Sequence, residues 1–547
     1  MSRRDRLFRT LLIFTTSACI SVSALAAPKQ MGMRVDNRTV DREAMKSERK
    51  AYHQWLVSER VAAAGANRLV VKPSAAEIAM VDNAPQQFPE IAGFTQDVNV
   101  DVSFRKINLS KLKGRAHRMQ HGALEQTADG GYVYTTEISS PGAVALRVQF
   151  AGFSLPAGTA MYLYNGEGQV FGPYSGRGPL GNGEFDSNTL SGDTVTLQLR
   201  HTGPASEGAL RDTRFRIVAL GHIRPRFMAG ECGYNADCVT NAKCDSDNAV
   251  ADAENAVAHM LYRSGRGYYI CSGGLINDSD ETNSLPLFLT ANHCISRGRE
   301  ASSLEAFFKF AASGCGDTSL CQASYDSLRS NFDRTLGASI VSTGSAADYT
   351  LLRLSEAAPA GSAFLGWNAE DVAFSNGAML HRISHPQGAP QSYSSHVVDT
   401  SAGQCQSWPR GDRIYSRDVV GATEGGSSGS PVVNSAGEIV GQLSGACGTN
   451  LNDNCDAQNN ATVDGAFAAY FGEVESFLAP GGGGGCNVTE VIETSCSDGQ
   501  DNDCDGDTDA ADSDCATGGG APGTACQVNS DCASNKCKGK PGAMTCR

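Results

Sequence analysis

No cysteine lies between Cys19 and Cys232, and eighteen follow. That distribution splits the 547 residues into a cysteine-free part and a cross-linked part. The eighteen fall into even groups: ten from Cys232 to Cys455, four at 486, 496, 504 and 515, and four at 526, 532, 537 and 546. Even groups in an exported chain imply disulfides closing separate modules. Export is legible at the N-terminus. Arg3, Arg4, Arg6 and Arg9 precede the apolar stretch LLIFTTSACISVSALA, and Ala24-Leu25-Ala26 supplies small residues for cleavage. A lipoprotein site at Cys19 has Thr16 where leucine is preferred. The expectation is a signal peptide over 1–26, a secreted protein and no transmembrane anchor. A zinc reading of the cysteines lacks partners, because no histidine follows His396.

The net charge of −14 is concentrated. Ten acidic residues and no Lys or Arg lie between Cys486 and Cys515. That argues against a nucleic-acid partner and for a local cation site. Residues 41–64 carry the charge pattern of an exposed helix. From about 95 to 222, short alternating runs such as YVYTTEI, AVALRVQF and VTLQLR are separated by Gly/Pro turns, the pattern of a β-sandwich. A boundary falls near 223–231, where RPRFMAGE reads as exposed. A second β-rich region, 229–480, closes with a helix in AFAAYFGEVESFL. Gly481 to Gly485 form a linker, and modules over 486–515 and 526–547 flank a second linker at 516–525.

Within 229–480 three motifs occur in order. LFLTANHC ends an apolar strand on His293, AADYTLLRL sets Asp348 at the head of another, and GGSSGSP supplies serines. A hydroxyl is a weak nucleophile at neutral pH. It needs a histidine to take its proton and a carboxylate to fix that histidine's tautomer. Each motif alone is ordinary, whereas all three in the order His, Asp, Ser point to nucleophilic hydrolysis. A bridge from Cys271 to Cys294 would pin the histidine's turn to the neighbouring strand. Two other orders are disfavoured. Gly425-Gly426-Ser427-Ser428-Gly429 fits the G-x-S-x-G elbow of α/β-hydrolases, but no histidine follows it. A subtilisin-like order would need Asp278 or Asp280, and neither opens a β-α unit.

CSGGLI followed by LTANHC resembles the first barrel of trypsin-like serine proteases. FLTANHC, DYTLLRL, SHPQG, GATEGGSSGSPVV and GQLSG are similar to the bacterial lysyl endopeptidase branch, over roughly 235–475. The resemblance implies a chymotrypsin-like double β-barrel. It makes Ser428 the nucleophile, His293 the general base and then acid, and Asp348 its orienting partner. The N–H groups of Gly426 and Ser428 become the oxyanion hole. Trypsin-like zymogens switch on when a new N-terminal amine pairs with an aspartate just before the serine. That position is Ser427 here, so latency is assigned to the N-terminal region, 27–228, as a pro-domain that inhibits or assists folding. His381 and His385, in HRISHPQG, read as structural.

The pocket is less well defined. Ala422, six residues before the serine, leaves no acidic floor. The lysine-selecting position of the branch aligns with Thr462, so strict lysine preference does not transfer. Asp464 is two residues on, and strand alternation puts it on the same face. It is a candidate to restore a basic preference, against a structural reading of equal weight. Trp408 aligns with the branch's pocket-shaping aromatic residue.

In the tail, DNDCDGDTDAAD places Asp501, Asp503, Asp505, Asp507, Asp509 and Asp512 at calcium-loop spacing around Gly506. A Ca2+ ion is expected there, and no cofactor for catalysis. The last module has the spacing of a two-disulfide knot, with contact to the cell envelope among its readings. The whole is expected to be mostly β: a sandwich-like pro-domain, a double-barrel catalytic domain and small disulfide-rich modules. Its expected activity is that of a secreted serine endopeptidase acting on polypeptides. The rivals are an inactive calcium-binding surface protein and an esterase using the same triad.

Overall fold

The structure is a computed structural model. It describes residues 29–479 except 86–87, 109–111, 113–114, 229–234, 245–252, 280–284, 316–327, 329, 331–332 and 406, together with the strand backbone at 537–540 and 543–546. The export head, the acidic module with Asp501, Asp503, Asp505, Asp507, Asp509 and Asp512, and most of the last module lie outside the described residues. Among the described residues no helix is long and apolar enough to cross a membrane.

The chain is mostly β, as the sequence pattern predicts. The charged segment after residue 41 forms the helix Arg42–Ser58, capped by Asp41, whose side chain accepts the Ala44 N–H. The N-terminal unit then builds two facing sheets. Tyr132–Ser139 and Thr194–His201 run at the centre of one. The other contains β1 (Glu90–Ser103), β2 (Ala145–Ser154) and β3 (Arg214–Ile223), with β3 between β1 and β2. Tyr132, Tyr134, Leu146, Phe150, Leu163, Leu197 and Ile217 pack between the sheets. This is the sandwich-like arrangement expected from the alternating runs.

The second β-rich region makes two barrels. The first, an open half-barrel, uses β4 (Val257–Ser264), β5 (Gly267–Leu275), β6 (Leu287–Ala291), β7 (Glu305–Phe308), β8 (Ala338–Gly344) and β9 (Tyr349–Leu354). β6 is apolar apart from Thr290 and buried at every position, because β5 and β9 flank it and the core covers both faces. The second barrel uses β10 (Met379–Ser384), β11 (Ser392–Val398), β12 (Arg413–Val420), β13 (Pro431–Asn434), β14 (Ile439–Gly448) and β15 (Asn460–Ala466). β15 pairs with both β12 and β14, which closes this barrel with six strands. The closing helix, α1 (Phe467–Leu478), packs Phe467, Tyr470, Val474 and Leu478 into a core shared with both barrels.

The sandwich and the first barrel are not separate layers. β1 pairs with β5, Phe94 opposite Gly267 and Gly93 opposite Tyr268, so one twelve-stranded sheet runs through both units. Polar side chains seal the seam. The Asp186 carboxylate takes Arg263 at 3.1 Å and the Tyr268 hydroxyl at 2.9 Å, and Glu305 takes the Thr189 N–H and hydroxyl. An N-terminal arm adds Gln30–Met31 beside Trp367–Asn368 and Arg34–Val35 beside Ala363–Phe364, along the segment joining the barrels.

Buried histidines should make the fold acid-sensitive: His259 is fully buried with its pKa held well down by desolvation, and two others follow the same logic. His222 in β3 and His385 after β10 are both fully buried, and burial lowers each pKa to about 4. A histidine held neutral in the fold titrates near 6.5 when unfolded. Its stabilising effect is therefore complete above that pH and is lost as pH falls toward about 4, on the order of 3 kcal/mol for each group. Urea midpoints should fall between about pH 7 and pH 4.5, and His222→Gln should flatten that fall. A pH-independent midpoint would contradict this account.

Candidate active site

His293 and Asp348 come from neighbouring strands of the first barrel. β6 pairs with β9, Ala291 opposite Tyr349, so Asn292 and His293 leave the strand beside Asp348. The turn is tight: the N–H groups of Cys294 and Ile295 both return to the Ala291 carbonyl. Asp348 has φ +56°, a left-handed backbone that Asp tolerates better than most residues. Its Oδ1 accepts the His293 N–H at 2.9 Å and its Oδ2 accepts Nδ1 at 2.8 Å. One carboxylate thus fixes both the backbone and the ring, leaving Nε2 without the proton. The Cys271–Cys294 disulfide forms, and its sulfurs lie within 4.8 Å of a His293 ring nitrogen. Both sulfurs are spent in the bridge, so this cluster is a brace and not a metal site.

Ser428 sits on the loop before β13, in the second barrel. Gly429 has φ +80°, and a Cβ there would meet Thr290 Oγ1, the Ser272 carbonyl and the Ala291 N, so only glycine lets the loop lie against β5 and β6. Ser272, next to Cys271, holds the loop from the first barrel. Its N–H donates to the Ser428 carbonyl at 2.8 Å and its hydroxyl to the Gly426 carbonyl at 2.9 Å. Gly426 has φ +96°, and a Cβ there would strike the His385 carbonyl. No hydrogen bond of the described residues uses the N–H of Gly426 or Ser428. Ser428 Oγ and His293 Nε2 are both buried without a partner. A buried acceptor and a buried hydroxyl, both left open, are the base and nucleophile that an acyl transfer would use.

A second set of contacts ties the barrels together. Gln442 in β14 donates to the carbonyls of Ala347 and Asp348 at 3.0 and 3.1 Å, and its own Oε1 accepts the Tyr470 hydroxyl at 2.5 Å. Gln442 is in the GQLSG motif, but its partners are distant in sequence, so no local pattern signals its role.

The pocket residues divide. Ala422 is buried. Trp408 lies over Gly445, 3.4 Å from where a Cβ would be. Thr462 donates its hydroxyl to Asp418 Oδ1 at 2.6 Å, and the same oxygen takes His396 Nδ1 at 2.7 Å. Asp464 corrects the expectation of a substrate-facing carboxylate. It is 0 % exposed and bonded to Arg382 Nη2 at 2.5 Å, with Arg382 also 0 % exposed. Alternation does place Asp464 on the face of Thr462, but an arginine from β10 occupies it. His381 and His385 bond the Tyr393 hydroxyl and the Ala389 carbonyl, consistent with structural roles.

Comparison with known proteins finds similarities to part of the chain. The family described as "Lysyl endopeptidase, C-terminal domain" matches residues 229–462. The curated "Lysyl endopeptidase" of Pseudomonas aeruginosa is 29 % identical over 379 residues, 65 % of this chain and 77 % of that protein. "Secreted RxLR effector protein 73" of Plasmopara viticola is 26 % identical over 277 residues, 47 % of this chain and 63 % of that protein. Among solved structures, the HtrA-type protease AlgW with tripeptide aligns at 16 % identity and a TM-score of 0.30, over 43 % of this chain and 64 % of that one. The active form of the Rv3671c protease from M. tuberculosis aligns at 14 % identity and a TM-score of 0.29, over 44 % and 90 %. Residues 229–462 are thus similar to the C-terminal domain of lysyl endopeptidases, and the longer stretch of 379 residues is similar to the Pseudomonas aeruginosa enzyme.

Proposed function

We propose that the chain is a secreted serine endopeptidase using Ser428, His293 and Asp348. The observation that carries this reading is the paired grip of Asp348 on His293, both acceptors used, with Nε2 left open. Ser428 Oγ attacks the peptide carbonyl while Nε2 takes its proton. The N–H groups of Gly426 and Ser428 receive the developing oxyanion, a contribution on the order of 3 kcal/mol per donor. The imidazolium then returns the proton to the leaving amine, giving an acyl-enzyme. Water, activated by the same Nε2, hydrolyses the ester. Asp348, bonded to Nδ1, steadies the imidazolium. Residues 27–228 act as the pro-region, and the Asp-rich tail loop as a Ca2+ module.

The test is fluorophosphonate labelling followed by peptide mapping. Label on Ser428 that disappears in Ser428→Ala supports the reading, and an unlabelled, folded wild type overturns it in favour of an inactive surface protein. Parallel peptide and ester panels separate a protease from an esterase.

A further inference from the structure

Glu424 lies four residues before the nucleophile and is 3 % exposed. Among the described residues no Lys, Arg or His pairs with it. Its carboxylate is instead filled by neutral donors from two other segments: Asn235 Nδ2 at 2.7 Å, the Ala236 N–H at 3.1 Å and Asn454 Nδ2 at 3.2 Å. Asn235 Nδ2 also reaches the Pro386 carbonyl at 2.9 Å, and the next residue, Gln387, donates its N–H to the Gly425 carbonyl. The Cys238–Cys455 disulfide anchors both donor segments, sitting two residues past Ala236 and one past Asn454. On the other side, the Glu424 carbonyl accepts the Ser427 N–H at 3.0 Å, which sets the turn that presents the N–H groups of Gly426 and Ser428.

A buried carboxylate without a cation is costly to ionise unless several N–H groups satisfy it: burial pushes the Glu424 pKa up, and its hydrogen-bond donors work against that shift. Here the donors Asn235 and Ala236 come from the stretch that would lie at the start of the catalytic domain, and Asn454 from the segment bridged to it. We propose that Glu424 is the positioning residue of the oxyanion loop, holding residues 235–236 by neutral hydrogen bonds where trypsin-like zymogens use an amine–carboxylate pair. This rests on the serine-protease reading above. It adds that the loop is assembled while residues 225–228 still join the N-terminal unit to the catalytic region, so maturation does not build the oxyanion hole. Latency then has to act by some route other than an unformed loop.

The experiment uses the full-length chain and its Glu424→Ala, Glu424→Gln and Asn235→Ala variants. Each is assayed for kcat and KM on a chromogenic ester, for the rate of fluorophosphonate labelling at Ser428 and for melting temperature. Glu424→Ala should lower kcat and the labelling rate about 100-fold with KM nearly unchanged, the scale of losing one oxyanion donor. Glu424→Gln keeps one acceptor oxygen and should recover most of that loss, and Asn235→Ala should fall between. The unprocessed wild-type band should itself take the label. Label confined to shortened chains, or a folded Asn235→Ala and Glu424→Ala labelling at the wild-type rate, would overturn the proposal. A wild type that never labels would instead remove the serine-protease reading, and this inference with it.

Discussion

Asp348→Asn should leave a folded, disulfide-bonded protein that hydrolyses peptides about 10,000-fold more slowly at neutral pH. The size of the effect follows from the two bonds at that side chain. Oδ1 accepts the His293 N–H and Oδ2 accepts Nδ1, so the site demands two acceptors. An amide offers one. With its oxygen on the backbone N–H, its NH2 faces Nδ1, and the imidazole must move its proton to Nε2. The base toward Ser428 is then gone, although no atom has moved far. The fold should hold because asparagine also tolerates the left-handed backbone at φ +56°. The measurement is kcat with a parallel melt. A loss of under tenfold with wild-type stability would mean that Asp348 does not set the tautomer.

The second large effect is on stability. Asp464→Ala should cost about 3–5 kcal/mol, the usual scale for leaving one partner of a buried ion pair alone. Among the described residues, only Ser430 would then hydrogen-bond the buried Arg382 cation, through contacts of 3.2 and 3.4 Å. The double variant Arg382→Met with Asp464→Leu should regain most of the loss, since apolar residues of similar volume avoid the desolvation cost. Denaturant midpoints for the three chains test this. Nearly unchanged stability in Asp464→Ala, with an altered preference before the cut, would restore Asp464 to the pocket.

The features legible in the sequence were those whose chemistry sits in a short stretch. LTANHC, AADYT and GGSSGSP each carry one residue of the proposed triad together with the backbone that aims it, and the order of the three separates the proposed arrangement from the α/β-hydrolase and subtilisin orders. The strand runs of the N-terminal unit were legible for the same reason, since alternation is local. What could not be read was pairing between distant segments. Arg382 and Asp464 are 82 residues apart, and Asn235 and Glu424 are 189 apart. Alternation assigned Asp464 to the correct face but could not say what else pointed there. Nor does any pattern announce that β1 would borrow the edge of β5, because an edge is a property of what is missing beside a strand.

That borrowed edge has a consequence for how the two units could ever part. Cutting the connection near 223–231 breaks a covalent bond but none of the β1–β5 hydrogen bonds, so the products begin as a two-chain complex. Shedding the N-terminal unit would bare residues 267–270 as an unpaired strand edge beside Tyr268, which is buried in the intact chain. Unpaired edges recruit other strands. The catalytic region can therefore be freed without self-association only if something else comes to cover that edge.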